Sequence, residues 1–216
     1  MYHLRVLVLM LYHIALILLR SGGLRRPSEE VTTTHVVTLT DLDWNMHQNN
    51  SVYALELDIA RYPFLVQFIG GRRPFLFPMW TQGWSLANGA VATFFYAPLL
   101  LHQVYSIRTH LAGVDRKWLY LVSFYTSAGG GVVFACSVSR VVFKQGRRTL
   151  PPRDVMATLG YSEADIAALE ALGAPALPKD GASAAEVLLS AGPCMSATGD
   201  LLRTAAAAPL QSGARS

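Results

Sequence analysis

From Val52 to Phe68 the chain runs for helix length with no internal glycine and one late proline, Pro63. Val52, Tyr53, Leu55, Leu57, Ile59, Ala60, Phe64 and Leu65 make the run apolar over much of its circumference. A helix of that kind needs cover on most sides. The chain beyond it has the pattern of a sheet. Trp84 to Tyr96, Val104 to Ala112, Trp118 to Thr126 and Val132 to Lys144 read as strands, the last with Val132, Phe134, Cys136 and Val138 alternating against Ala135, Ser137 and Ser139. Ala97-Pro98, Gly113-Val114-Asp115 and Gly129-Gly130-Gly131 fall at the connections, as turn chemistry requires. One long helix and an antiparallel meander make this an α+β chain.

The polar residues sit just ahead of the helix. His35-Val36-Val37-Thr38-Leu39-Thr40 is rich in β-branched residues and reads as a strand. The stretch from Thr40 to Tyr53 then carries Asp41, Asp43, His47 and three good N-cap residues, Asn49, Asn50 and Ser51. A helix that starts here aims its free N–H groups and the positive end of its dipole back at the turn, with a carboxylate from Asp43 or Asp41 nearby. That combination suits acyl transfer. The same residues also build ordinary turns and caps, and the spacing alone leaves both readings open.

Asp41-Leu42-Asp43, His47-Gln48-Asn49-Asn50 and Tyr53, followed by Glu56, Asp58 and Arg61 in an E-x-D-x-x-R pattern, resemble the signature of the hotdog-fold thioesterase superfamily. The likeness is to its 4-hydroxybenzoyl-CoA thioesterase-like group, near the branch of thioesterase superfamily member six. Val114 to Leu121 resembles a second family element, a G-W-D-x-K-x-Y-L strand, and the whole match runs from about Val36 to Pro152. Two departures stand out: Gln48 where Met is common, and Met46 where many catalytic relatives carry Gly before the His.

The resemblance implies a hotdog fold, in which a curved antiparallel sheet wraps one long central helix. It also implies a thioesterase that hydrolyses an acyl or aryl thioester such as acyl-CoA to free acid and thiol, and at least a homodimer. Asp43 would be base or nucleophile, the amide at the helix start near Asn50 would hold the oxyanion, and His47 would orient the carboxylate or bind the thioester oxygen. Asn49, Tyr53, Glu56 and Asp58 would border the substrate. Glu56 and Asp58 need partners on so apolar a helix. They either support the site or form a solvated edge, with Asp58 and Arg61 paired at i,i+3. The rival reading is a catalytically silent hotdog protein that binds acyl chains or serves as a membrane-tethered interaction module.

With 216 residues, 52% of them apolar, the chain has material for one core with appendages. The expected division is an apolar N-terminal helix at 1–20, a linker at 21–33, the hotdog domain at 34–152, a short helix at 153–173 opened by Ser162 and stopped by Gly173, and a low-complexity, disordered tail at 174–216. The formal charge of +4 is spread over pairs such as Arg72-Arg73, Arg116-Lys117 and Arg147-Arg148, which argues against nucleic acid and leaves coenzyme A phosphates, an anionic membrane or solvent as their partners. Neither Cys136 and Cys194 nor His35, His47, His102 and His110 show ligand spacing, so no metal or cofactor is expected. Val6 to Leu19 is uncharged but short of the roughly 20 residues that span a bilayer. It reads as an uncleaved membrane-associating segment, with a cytoplasmic protein as the alternative. Gly70-Gly71-Arg72-Arg73-Pro74 breaks the helix, and Phe75 to Gly83 reads as a lid-like loop. Trp80 and Trp84 would line a pocket or pack in the core. The triple glycine lies between strands and reads as a hairpin turn, with no lysine in phosphate-loop spacing.

Overall fold

The computed structural model describes residues 7, 8, 11, 12, 15, 29–69 and 81–174. The sheet begins with β1 (Val31–Val36), whose alternation buries Val31 and His35 and exposes Thr32 and Thr34. This strand lies earlier in the chain than the β-branched run predicts. The Thr38 N–H and hydroxyl both donate to Asp41 Oδ2 at 2.7 Å, which folds Leu39–Asp41 into a single 3₁₀ turn and ends the extended chain.

Helix α1 (Asn50–Ile69) comes next, then β2 (Trp84–Phe95), β3 (Val104–Val114), β4 (Leu119–Ser127) and β5 (Val133–Gln145). A three-residue β6 (Arg148–Leu150) folds back on β5. All pairings are antiparallel, but the order is β1-β3-β4-β5-β2, so the sheet is more than a meander. Strand β2 crosses to the far side of β5 and becomes an edge. Bulges at Asn88/Ala90 in β2 and Leu111/Gly113 in β3 bend the strands, as an extra residue on one side of a ladder does. The result is the expected α+β architecture, a curved sheet around one long helix.

The C-terminal region forms two helices where the sequence pattern predicts one. Helix α2 (Pro152–Leu159) opens with a proline at its first position and closes on Gly160 at φ 89°. Helix α3 (Glu163–Leu172) starts at Ser162, whose hydroxyl accepts the Asp165 N–H, and stops at Gly173.

The sheet face under α1 holds two apolar clusters. The first half of the helix contributes Tyr53, Leu57 and Ala60, packed on Tyr105, Ile107 and Tyr125. The second half contributes Phe64, Leu65 and Phe68, closed over by α2 and α3 through Met156 and Ile166. Between the clusters runs a row of hydroxyls in register across four strands, Thr109, Ser123, Ser137 and Thr93, with Thr109–Ser123 and Thr93–Ser137 bonded at 2.8 Å. Arg61 reaches the next residue of that face, donating to Ser139 Oγ at 2.9 Å. Each half of α1 is therefore gripped separately, and the first half carries the polar loop.

Trp84 is buried in the second cluster, so it packs in the core. The Gly129–Gly131 segment is the turn between β4 and β5, with Gly130 at φ 75°. Trp80, the expected lid as far as residue 80, Arg72-Arg73, Cys194 and the tail from residue 175 lie outside the described residues. Of the N-terminal segment, residues 7, 8, 11, 12 and 15 are helical, and Leu7, Val8, Leu11 and Tyr12 are 48–57% exposed. Among the described residues no helix is long and apolar enough to cross a membrane.

Candidate functional site

The loop between the 3₁₀ turn and α1 closes on itself. The Asp43 N–H donates to His47 O at 2.9 Å, and the Asn49 N–H to Asp41 O at 2.7 Å. The Gln48 N–H donates to Leu99 O at 2.8 Å, and His47 bridges Leu100, so the loop is tied to the segment beyond β2. At the tip, Asp43 Oδ1 accepts the Asn45 N–H at 2.8 Å, and Met46 sits at φ 62°. That left-handed backbone favours glycine, and Met46 adopts it with a side chain.

One Asp43 oxygen is thus held by the turn. The other, Oδ2, lies 3.3 Å from His47 Nδ1, with the two side chains 22% and 35% exposed. A carboxylate pinned on one side, faced by an imidazole and still open to solvent, can take a proton from water or attack an electrophile.

Asn49 is the cap of α1, its Oδ1 accepting from the Ser51 N–H at 2.9 Å and the Ser51 hydroxyl at 2.8 Å. Asn50 is then the first helical residue and is exposed, with its N–H among the free donors at the positive end of the helix. Residues 31–60 contain Asp41, Asp43, Glu56 and Asp58 and no Lys or Arg. Positive potential in this stretch comes from the helix start. Around the loop stands an apolar rim of Leu39, Trp44, Met46 and Leu100, with Trp44 99% exposed.

The residues singled out from sequence fall in three places. Asp43, His47, Asn49 and Asn50 share the loop and helix start. Tyr53 is buried below it, its ring against Phe95 and Tyr125 and its carbonyl accepting the Tyr125 hydroxyl at 2.7 Å. Glu56 is also buried, bonded to His35. Asp58 pairs with Arg61 one turn on, and both border a separate cleft of ≈ 140 Å³ with Tyr62, Leu65, Leu86 and Asn88. Sequence reasoning gave no role to His35, Trp44 or Tyr105. The inward phase of His35 in β1 was its one local signal. Burial, reinforced by the Glu56 carboxylate, raises the Tyr105 phenol, so its hydroxyl keeps its proton. Among the described residues no group of three or more His, Cys, Asp and Glu side chains is placed to hold a metal ion.

The family model described as "Thioesterase-like superfamily" matches residues 37–160. Thioesterase lcsJ of Purpureocillium lilacinum is 29% identical over 150 residues, covering 61% of this chain and 48% of that protein. A probable thioesterase of Saccharomyces cerevisiae is 31% identical over 124 residues, covering 57% of this chain and 52% of that protein. The chain spans about half the length of these curated relatives. The crystal structure of a 4-hydroxybenzoyl-CoA thioesterase mutant complexed with 4-hydroxybenzoyl-CoA shares the fold at a TM-score of 0.51 and 16% identity, covering 61% of this chain and 99% of that one.

Proposed function

Because the chain belongs to the thioesterase-like superfamily, we propose that it hydrolyses an acyl or aryl thioester, a coenzyme A thioester first among them, to free acid and thiol. The observation that carries this reading is the Asp43 carboxylate, held on one oxygen, faced by His47 on the other and set beside the start of α1. In the proposed reaction a water oxygen adds to the thioester carbonyl while Asp43 takes its proton. Collapse of the tetrahedral intermediate breaks the C–S bond, and the departing thiolate recovers a proton. In the nucleophilic variant Asp43 adds first, the C–S bond of that adduct breaks to expel thiolate and leave a mixed anhydride, and water cleaves the anhydride to free acid and the Asp43 carboxylate. Either way the carbonyl oxygen becomes an anion, and the N–H at Asn50 is the donor assigned to it. His47 orients the carboxylate. The apolar rim at Trp44 and Met46 suits the hydrocarbon of the acyl group, and the coenzyme A ester in the 4-hydroxybenzoyl-CoA thioesterase supports that carrier.

The proposal extends to a homodimer through β2. Among the described residues one side of this 12-residue strand is unpaired, with Val91 and Phe95 exposed along it, and such an edge is a template for another strand. Membrane association is proposed as well, supported by the exposed apolar face of Leu7, Val8, Leu11 and Tyr12. Removing residues 1–20 should release the protein from membranes, and persistent pelleting would refute the anchor.

The deciding experiment is thiol release by the full chain from a panel of acyl- and aryl-CoA thioesters, beside Asp43→Asn. Turnover in the wild type and a loss of about 10²-fold or more in a folded Asp43→Asn is the expected result. An active variant would remove Asp43 from the chemistry. No turnover from a folded dimer across the panel would favour an acyl-binding module.

A further inference from the structure

The geometry points to His35 and Glu56 as the pair that positions the start of α1 for catalysis, an inference that rests on the thioesterase reading above. His35 Nδ1 and Glu56 Oε2 lie 2.5 Å apart, with the two side chains 3% and 5% exposed. The other ring nitrogen of His35, Nε2, is bonded to Thr33 Oγ1 at 2.7 Å, and the ring stacks on Tyr105, its register partner on β3, at 5.4 Å. Tyr105 in turn meets Gln48, the residue beside His47, through a long contact of 3.4 Å from Gln48 Nε2 to the phenol oxygen. A contiguous set of polar side chains thus runs from β1 under the loop to the second turn of α1.

None of these side chains reaches the loop surface where Asp43 and Asn50 stand, so their effect is on placement. Glu56 lies six residues along the helix from Asn50, about 9 Å at 1.5 Å per residue. Apolar packing in the first cluster holds the helix against the sheet but leaves small rotations and slides cheap. A hydrogen bond in a dry site does not. Replacing both partners of a buried hydrogen bond by apolar residues is often nearly neutral for stability, so a role in placement is the more specific reason for this pair. Gln48 Oε1, buried with no partner among the described residues, shows that the loop above is held at some cost in unmet hydrogen bonding. A displacement near 1 Å at the reacting groups is worth about 10² in rate.

The test uses the full chain with Glu56→Gln, which keeps shape and acceptor, and Glu56→Leu, which removes both. Three readouts apply: kcat and KM separately, thermal melting, and amide hydrogen exchange at residues 50–53. Glu56→Gln should keep kcat within about threefold. Glu56→Leu should lose about 100-fold in kcat with KM within about threefold, and its exchange at 50–53 should rise about tenfold while β4 stays protected. If Glu56→Leu does not fold, His35→Gln should give the same split and the same exchange pattern with a loss of about tenfold in kcat. The inference is overturned by wild-type kcat in Glu56→Leu, by unchanged exchange at 50–53, or by Glu56→Gln being as damaged as Glu56→Leu. A wild type that releases no thiol overturns the thioesterase reading and this inference together. An active wild type beside an unaffected Glu56→Leu overturns this inference alone.

Discussion

His110 ties the stability of this domain to pH in a way that can be worked through. It lies on β3, buried, with its ring stacked on Phe124 at 5.9 Å and no hydrogen-bond partner for Nε2 among the described residues. Burial pulls its pKa from 6.5 down to about 4, outweighing the Glu30 carboxylate, which acts the other way, and Arg108 adds to the fall. The unfolded chain therefore binds a proton at this side chain near pH 6.5, and the folded chain refuses it until about pH 4. Stability is full above pH 6.5 and drains away as the pH falls between those values. The gap amounts to about 2 kcal/mol lost at pH 5 and about 3 kcal/mol below pH 4. Urea unfolding of the wild type and of His110→Met at pH 7 and pH 5 measures it. Burial raises the Asp115 carboxyl, but the Lys117 N–H, the Tyr120 hydroxyl and the Trp118 N–H outweigh it and hold it low, so Asp115 also costs stability in acid. That loss is common to both proteins and cancels in the comparison. The wild type should lose about 2 kcal/mol more than the variant between the two pH values. Parallel losses, within about 0.5 kcal/mol, would refute the assignment of a neutral, dry imidazole.

Three further outcomes rest on individual contacts. A Cβ at Gly113 would lie 1.8 Å from the Gly173 carbonyl oxygen, so Gly113→Ala should push the end of α3 off β3 and cost about 1–3 kcal/mol in urea unfolding; an unchanged midpoint would mean that α3 is not seated there. Ser162→Ala removes the side-chain acceptor for the Asp165 N–H and should cost about 1 kcal/mol, most of it restored by Ser162→Asp; equal stability of all three proteins would deny the cap. Burial pushes the Cys136 thiol up to about 12. With Cys194→Ser in place, the native protein should resist a thiol reagent at mildly alkaline pH and react on unfolding, and rapid labelling of the folded protein would contradict the burial of Cys136.

Helix α1 was legible almost to the residue, because its signals are local: cap residues, no glycine, and an apolar circumference that commits it to the interior. Strands β3, β4 and β5 were legible for the same reason, through alternation and turn residues. The end of β1 was not, since the Thr38–Asp41 hydrogen bonds that follow it compete with a strand propensity that Val36 to Thr40 share. Helix α2 and β6 are too short for periodicity to register. Within the site, Asp43 and His47 are four residues apart and joined by a tight loop, so one stretch of sequence predicted both. Which of Asn49, Asn50 and Ser51 caps the helix was open until Asn49 Oδ1 was seen to take both Ser51 donors.

By itself, then, the sequence determined the types of the longer elements, the family signature and the acidic residues of the loop before the helix, all of which depend on neighbours within a few residues. The i,i+3 spacing also offered the Asp58–Arg61 pair. Tertiary structure alone decided that β2 crosses to pair with β5, that this pair borders a separate cleft, and that Glu56 meets His35 from 21 residues away. Those outcomes depend on which surfaces bury one another. A buried carboxylate takes whatever partner the folded chain brings within hydrogen-bonding distance, and no local pattern encodes that choice.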